Sequence, residues 1–293
     1  MKSGRSHIVF SDGFTIVEVM IVLAVTSAIL ISAMSLIGGS QNRTSFSQAV
    51  NDINTQITST ATNVANGYFA SELPTTSACN ATGSNGVPKF VTGGTNDGSC
   101  VYIGRVIQFT KNQDFYFHNV MGRRQSGAPL KEVTTMSAAE PQIIERISSL
   151  ASTSTYPPTS QKKLLQGGLK VGEMAFNNGS GWQPTSGIAF TGSLAAYNST
   201  GSVESGAQTV DFVATVDNRV TDTKESFIRL FDTTFAGLYN SQKNPSQGIR
   251  ICFDSGTTVQ VAIITVGGGS RRTTTSTEFK KGKCSDAANK VLP

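Results

Sequence analysis

The sequence predicts an α+β protein: a long N-terminal helix, membrane-spanning in its first half, packed on an antiparallel β-sheet head. Three observations carry this. Phe14 to Ile37 is predominantly apolar and carries one charge, Glu18. From Phe46 an apolar stripe repeats at helical spacing. Beyond Pro74 the chain breaks into short β-type runs separated by Gly-, Asn- and Ser-rich turns.

The first run has 24 residues and one charge. As a helix it rises about 36 Å, enough to cross a bilayer core. An ionised carboxylate inside such a span costs about 2.5–3.5 kcal/mol, so Glu18 calls for a partner. A secretory signal peptide has a shorter apolar core with a small-residue cleavage site behind it. A plain anchor leaves Glu18 with nothing to do beyond reaching toward one interface. A buried core helix is rarely apolar all round over six turns.

Ahead of this run lies a short polar leader with Lys2, Arg5 and Asp12. Gly13-Phe14-Thr15-Ile16-Val17-Glu18, followed by the apolar run, resembles the processing signal of type IV pilins and of type II secretion pseudopilins. The resemblance covers about 25 residues and implies several things about them. A prepilin peptidase cuts between Gly13 and Phe14 and methylates the new amine of Phe14. Glu18 pairs with the N-terminal ammonium of a neighbouring subunit, which is cheaper than burying either charge alone. The subunit waits in the membrane and then enters a helical filament of other pilin subunits.

The divisions expected are a leader over 1–13, a filament-core or transmembrane helix over 14–37, an amphipathic continuation over 38–70 and a β-rich head over 71–293. Gly38-Gly39 marks either a helix end or a weak joint, since each glycine costs about 1 kcal/mol in a helix. The resemblance often brings a proline part-way along the apolar helix, but here the first proline is Pro74. Phe46, Val50, Ile53, Ile57, Ala61, Val64 and Tyr68 recur at spacings of 4, 3, 4, 4, 3 and 4. That is one apolar face suited to packing on a sheet. A coiled-coil partner is the lesser alternative, because flanking charges are scarce.

Residues 74–100 read as a loop. Val101–Phe109 and Asp114–Val120 read as an antiparallel pair, with His118 on the second strand as a surface or half-buried residue. Ala138–Leu150 reads as a short helix. Further strands are expected at Leu169–Phe176, Gly187–Tyr197, Thr209–Val216 and Phe227–Phe231. A hairpin of Ile249–Phe253 and Val259–Val266 comes last.

Cleavage after Gly13 leaves 22 basic and 18 acidic residues, a net charge of +4. That mild excess is unlike a dedicated nucleic-acid domain. The final stretch holds Arg271, Arg272, Lys280, Lys281, Lys283 and Lys290 against Glu278 and Asp286. It is a candidate anion-binding segment for DNA or an anionic cell surface; a solvated tail of no special role is the alternative.

Four cysteines in an exported head suggest disulfides, and three pairings are open. Cys79–Cys100 and Cys252–Cys284 are favoured, the first stapling the loop after the helix and the second tying the basic tail to the last hairpin. A zinc site is disfavoured, with no C-x-x-C and one histidine outside the leader. No Walker A, G-x-S-x-G or H-E-x-x-H pattern occurs. Ser160-Gln161-Lys162-Lys163 matches S-x-x-K without its companion motif.

The expected function is that of a non-enzymatic filament subunit without cofactor. The large head favours a minor or tip-located pilin serving adhesion, twitching motility or DNA uptake. A pseudopilin of a type II secretion system is the alternative. The expected route is a single pass of the cytoplasmic membrane with the head outside, then the extracellular filament.

Overall fold

The structure is a computed structural model. It describes residues 15–66, 77–80, 89–92, 100–111, 113–126, 131–143, 160–177, 179–192, 210–215, 224–256, 259–268 and 274–286. Side chains are described at these positions except 35–40, 77–80, 89–92, 100, 125–126 and 225. The chain divides into two compact units, Met1–Ser45 and Phe46–Pro293.

Helix α1, Ile16–Ala65, contributes to both units. It starts where Thr15 Oγ1 accepts from the Glu18 amide at 3.3 Å. This Thr-x-x-Glu start satisfies one of the orphan donors of the first turn. The helix runs without a break through Gly38 and Gly39, so the glycines do not end it. Helix propagation is cooperative, and long flanks carry two unfavourable residues.

The strands of the second unit, in chain order, are β1 (Ser77–Asn80), β2 (Lys89–Thr92), β3 (Cys100–Phe109), β4 (Asp114–Arg123), β5 (Gln125–Ser126) and β6 (Lys131–Glu132). Helix α2 (Met136–Ala139) and β7 (Gln142–Ile143) follow. Then come β8 (Ser160–Leu164), β9 (Leu169–Asn177), β10 (Trp182–Pro184), β11 (Gly187–Thr191) and β12 (Asp211–Thr215). Helix α3 (Lys224–Gln242) precedes β13 (Ile249–Ser255), β14 (Gln260–Val266) and β15 (Thr275–Lys281).

Two antiparallel sheets dominate. One has the order β10-β9-β13-β14-β15. The other runs β12-β11-β3-β4, beyond which β7 and β8 pair with opposite ends of β4. Two small antiparallel pairs, β1–β2 and β5–β6, and an isolated bridge between Val213 and Lys243 add to the pairing among the described residues.

Alternation along each strand sorts residues between two faces. The shared core takes Ile107, Phe109, Phe115, Phe117, Ile188, Phe190 and Phe212 from one sheet, and Leu169, Val171, Phe176, Ile251, Phe253 and Ile264 from the other. Into it Phe46, Val50, Ile53, Ile57, Ala61 and Val64 of α1 bring their stripe, every one below 5% exposure. Tyr68, the last residue of the expected stripe, lies outside the described residues.

The outer face of the six-stranded sheet buries Val101, Ile103, Val106, Val120, Ala189 and Val213 beneath α3 and α2. Among the described residues, the cluster on the outer face of the five-stranded sheet is small: Ala175, Cys252, Val261, Ile263 and Cys284, with Trp182 partly covering them. Gly104 sits where β11 crosses close to β3: a Cβ there would lie 2.0 Å from the Phe190 carbonyl oxygen. Any side chain would force the two strands apart.

Several expected elements come out differently. Phe227–Phe231 is not a strand but the start of the 19-residue helix α3. Phe227, Phe231, Phe235 and Tyr239 recur every four residues and form a ladder on the sheet: the three phenylalanines stack, with Phe231 and Phe235 ring centroids 4.2 Å apart, and Tyr239 meets Phe235 edge-on. Five residues were too short a window to expose that period. Of the expected helix over Ala138–Leu150, the described residues place Ala138 and Ala139 at the end of α2 (Met136–Ala139) and Gln142–Ile143 in strand. Thr135 caps the start of α2, while Glu140 turns into the left-handed region at φ 47°. Pro141 disfavours helix in the residue before it. Residues 144–150 lie outside those described. The stretch expected to be a loop, 74–100, contains β1 and β2. The expected strand Gly187–Tyr197 is observed from Gly187 to Thr191, and residues 193–197 lie outside those described. The stretch from Arg271, expected to be a tail, supplies β15, an edge of the five-stranded sheet.

Candidate functional site

Gly13 and Phe14 lie outside the described residues. Directly after them, Ile16–Met34 is long and apolar enough to cross a membrane, and none of it is buried within the chain. At about 1.5 Å per residue, 19 residues span about 28 Å, close to the thickness of a hydrocarbon core. Ile16, Met20, Leu23, Ile29 and Ile31 are each more than 55% exposed. Two hydroxyls in the segment are satisfied locally: Thr26 Oγ1 donates to the Val22 carbonyl at 2.8 Å and Ser32 Oγ to the Ala28 carbonyl at 2.9 Å. Neither needs water, as a helix in lipid requires. Glu18 is the acid of the first turn. There it meets the positive end of the helix dipole, a favourable place for a carboxylate.

The second candidate is the basic segment. Arg271 and Arg272 lie outside the described residues, as does Lys290. Lys280 and Lys281 close β15, and Lys283 follows in the turn leading to Cys284. Strand alternation places Lys280 and Lys281 on opposite faces, so the two do not make one patch. Lys280 Nζ lies 3.3 Å from Glu278 Oε2 on the same face.

Cys284 is joined to Cys252 of β13, S–S 2.13 Å and Cα–Cα 5.8 Å, both residues buried. The Cys284 amide donates to Asp254 Oδ1 at 2.8 Å. The bond therefore carries the chain back from the edge strand β15 across β14 to β13. Gly172 of β9 leaves the room: a Cβ there would stand 2.6 Å from Cys284 Cβ. The proposed Cys79–Cys100 pair concerns side chains outside those described; its backbones sit in β1 and at the start of β3.

The third constellation surrounds His118, which is fully buried in β4, not at or half at the surface as expected. The strand pairs on both sides, and Phe227 of α3 covers the ring at 5.8 Å between centroids. Nε2 is 3.0 Å from Gln108 Oε1, and Nδ1 is 2.8 Å from Ser160 Oγ. An amide oxygen only accepts, so Nε2 carries the proton and Nδ1 accepts from the serine hydroxyl. Burial, then the nearby charges of Lys224 and Arg105, pushes the imidazole down to about 3. The ring is neutral at ordinary pH and a feeble base.

Ser160, at 5% exposure, is closed off from substrate-sized molecules. The S-x-x-K spacing does not bring serine and lysine together either. In a strand, positions three apart face opposite sides. Lys163 Nζ accordingly stands 5.3 Å from the Phe117 centroid, on the other face from the His118 ring. Gln108 and His118 are diagonal neighbours on one face of the β3–β4 pair: His118 pairs with Val106 and Gln108 with Tyr116, an offset of two that only the register reveals.

Among the described residues no group of three or more His, Cys, Asp or Glu side chains is placed to hold a metal ion. The chain matches no protein-family model, no curated protein and no solved structure.

Proposed function

We propose that the protein is a structural subunit of a type IV pilus, a minor pilin without catalytic activity. Prepilin peptidase cuts it after Gly13 and methylates Phe14, the apolar helix holds it in the cytoplasmic membrane with the head outside, and assembly then carries it into the filament. One observation supports this above the others. The 19 residues Ile16–Met34 find no burial inside their own chain, while the same helix from Phe46 onward is packed as a core element. So large an apolar surface needs lipid before assembly and neighbouring helices after it.

Glu18 is the assembly residue of this reading, paired with the Phe14 ammonium of the next subunit. Replacing Glu18 by valine keeps the helix and makes it easier to hold in lipid, but leaves the neighbour's amine unpaired in an apolar bundle. Immunogold labelling of sheared surface filaments tests the proposal. Wild type labels filaments, at a tip or along the shaft, and Glu18→Val loses at least nine-tenths of the label while staying in the membrane fraction. Equal labelling by Glu18→Val would remove the pairing, and absence of wild-type protein from all filaments would remove the pilin. Arg271, Arg272, Lys280, Lys281 and Lys283 are the residues through which the head would meet DNA or an anionic surface, by contacts that weaken with salt.

A further inference from the structure

Along the aromatic ladder, α3 does not close completely on the edge strand β12. A small cleft remains between them, walled by Phe227, Phe231, Phe235 and Leu238 of α3 and by Ala214 of β12. Three polar side chains also line it: Thr215 at the last position of β12, Thr234 of α3, whose hydroxyl already donates to the Leu230 carbonyl at 2.8 Å, and Gln242 at the last position of α3. Thr215 and Gln242 are more than nine-tenths buried, at 3% and 9% exposure. Thr215 Oγ1 and Gln242 Oε1 take no hydrogen bond from the protein. The Thr215 backbone is by contrast satisfied, its carbonyl accepting from the Thr185 hydroxyl. A buried polar atom left in that state costs about 1–3 kcal/mol, and natural cores rarely leave two at one place.

The size of the space selects the guest. It leaves about 10 Å³ in which the centre of a water-sized molecule can sit, the room one water needs. An aromatic or branched ligand would have to push α3 away. The chemistry agrees. Gln242 Oε1 accepts only, whereas the Thr215 hydroxyl both donates and accepts. A molecule that donates to one and accepts from the other joins them, and a single hydroxyl does both.

We infer that this cleft is a binding site for one internal water, bridging Thr215 Oγ1 and Gln242 Oε1. The bridge pins the last turn of α3 to the end of β12. Nearby, Asn244 Nδ2 and the Tyr239 hydroxyl hold Asp211 at the other end of β12, at 2.6 and 2.8 Å. The strand is thus tied to α3 and the residues after it at both ends, once directly and once through the water.

Two measurements on the full chain in lipid nanodiscs test the site. Threonine-methyl-labelled protein should show a cross-peak of the same sign as a protein contact between the Thr215 methyl and a long-lived water. Absence of that peak, with the neighbouring buried threonine methyls observed, overturns the inference. Chemical unfolding of Thr215→Val, Gln242→Leu and the double variant gives an independent reading. A shared water makes the losses non-additive: each single variant lowers the unfolding midpoint, and the double lowers it little beyond the worse single. Additive losses, or singles as stable as wild type, mean that the two atoms are not bridged.

Discussion

The two halves of α1 have opposite relations to the chain that carries them. From Ile16 to Met34 apolar residues point in all directions and every one is exposed. From Phe46 to Val64 apolar residues occupy one stripe and every member is buried. Backbone geometry is the same in both, and only the distribution of side chains differs. A helix that is apolar on one face is completed by its own domain, whereas one apolar all round is completed only by something outside the chain. The polar surroundings of the second half, Asn51, Asp52, Thr55 and Thr62, keep it from needing anything more.

Substitutions at matched positions should separate the halves most sharply. Phe46→Ala empties a fully packed site and touches the ring of Phe279, 6.1 Å away. It should destabilise the head by about 3–5 kcal/mol. Leu23→Ala should leave head unfolding unchanged within about 0.5 kcal/mol. Trp182, the single tryptophan of the chain, lies in the head with Arg250 4.3 Å from its ring and reports the unfolding by fluorescence. Equal sensitivity at both positions would mean that the first half is also part of the folded core.

A second comparison concerns how the two sheets close their outer faces. The six-stranded sheet uses α3 and its aromatic ladder, and the five-stranded sheet a disulfide over a few small apolar groups. Replacing Cys252 and Cys284 together by alanine opens a loop of sequence separation 32 and should cost about 2–4 kcal/mol. Retention of full stability in a reducing agent would show that this face closes without the bond. Gly172→Ala should be destabilising while the disulfide is present and milder without it, because two of the three closest atoms belong to Cys284, which the bond holds in place, and the third is Asp254 Oδ2 at the end of a side chain.

The other outer face should respond to acid. His118 takes a proton near 6.5 when unfolded but near 3 when folded. The unfolded state therefore binds more protons between those values, and stability falls as pH drops from about 6.5 toward 3. Above 6.5 this contribution is complete. His118→Gln should flatten that part of the profile. An unchanged slope would place the acid sensitivity elsewhere.

The legible parts of the sequence were those where period and burial coincide. The stripe from Phe46 and the strands around Val101–Phe109 and Ile249–Phe253 show their faces in the order of residues alone. Helix α3 hid because its ladder spans 13 residues, of which the first five look like a strand. Edge strand β15 hid because an edge needs little apolar content, and charged residues there discourage pairing with other chains. The His118 cluster depends on β3, β4 and β8 meeting, and no local window contains all three.

The processed N-terminus tests the central claim most directly. Protein purified from membranes or sheared filaments would be sequenced from its N-terminus, with the intact mass recorded. The expected result is a chain starting at N-methylated Phe14, with Gly13→Ala leaving the precursor uncut. A chain that still begins at Met1, or one trimmed near Ser35 behind the apolar run, would contradict it.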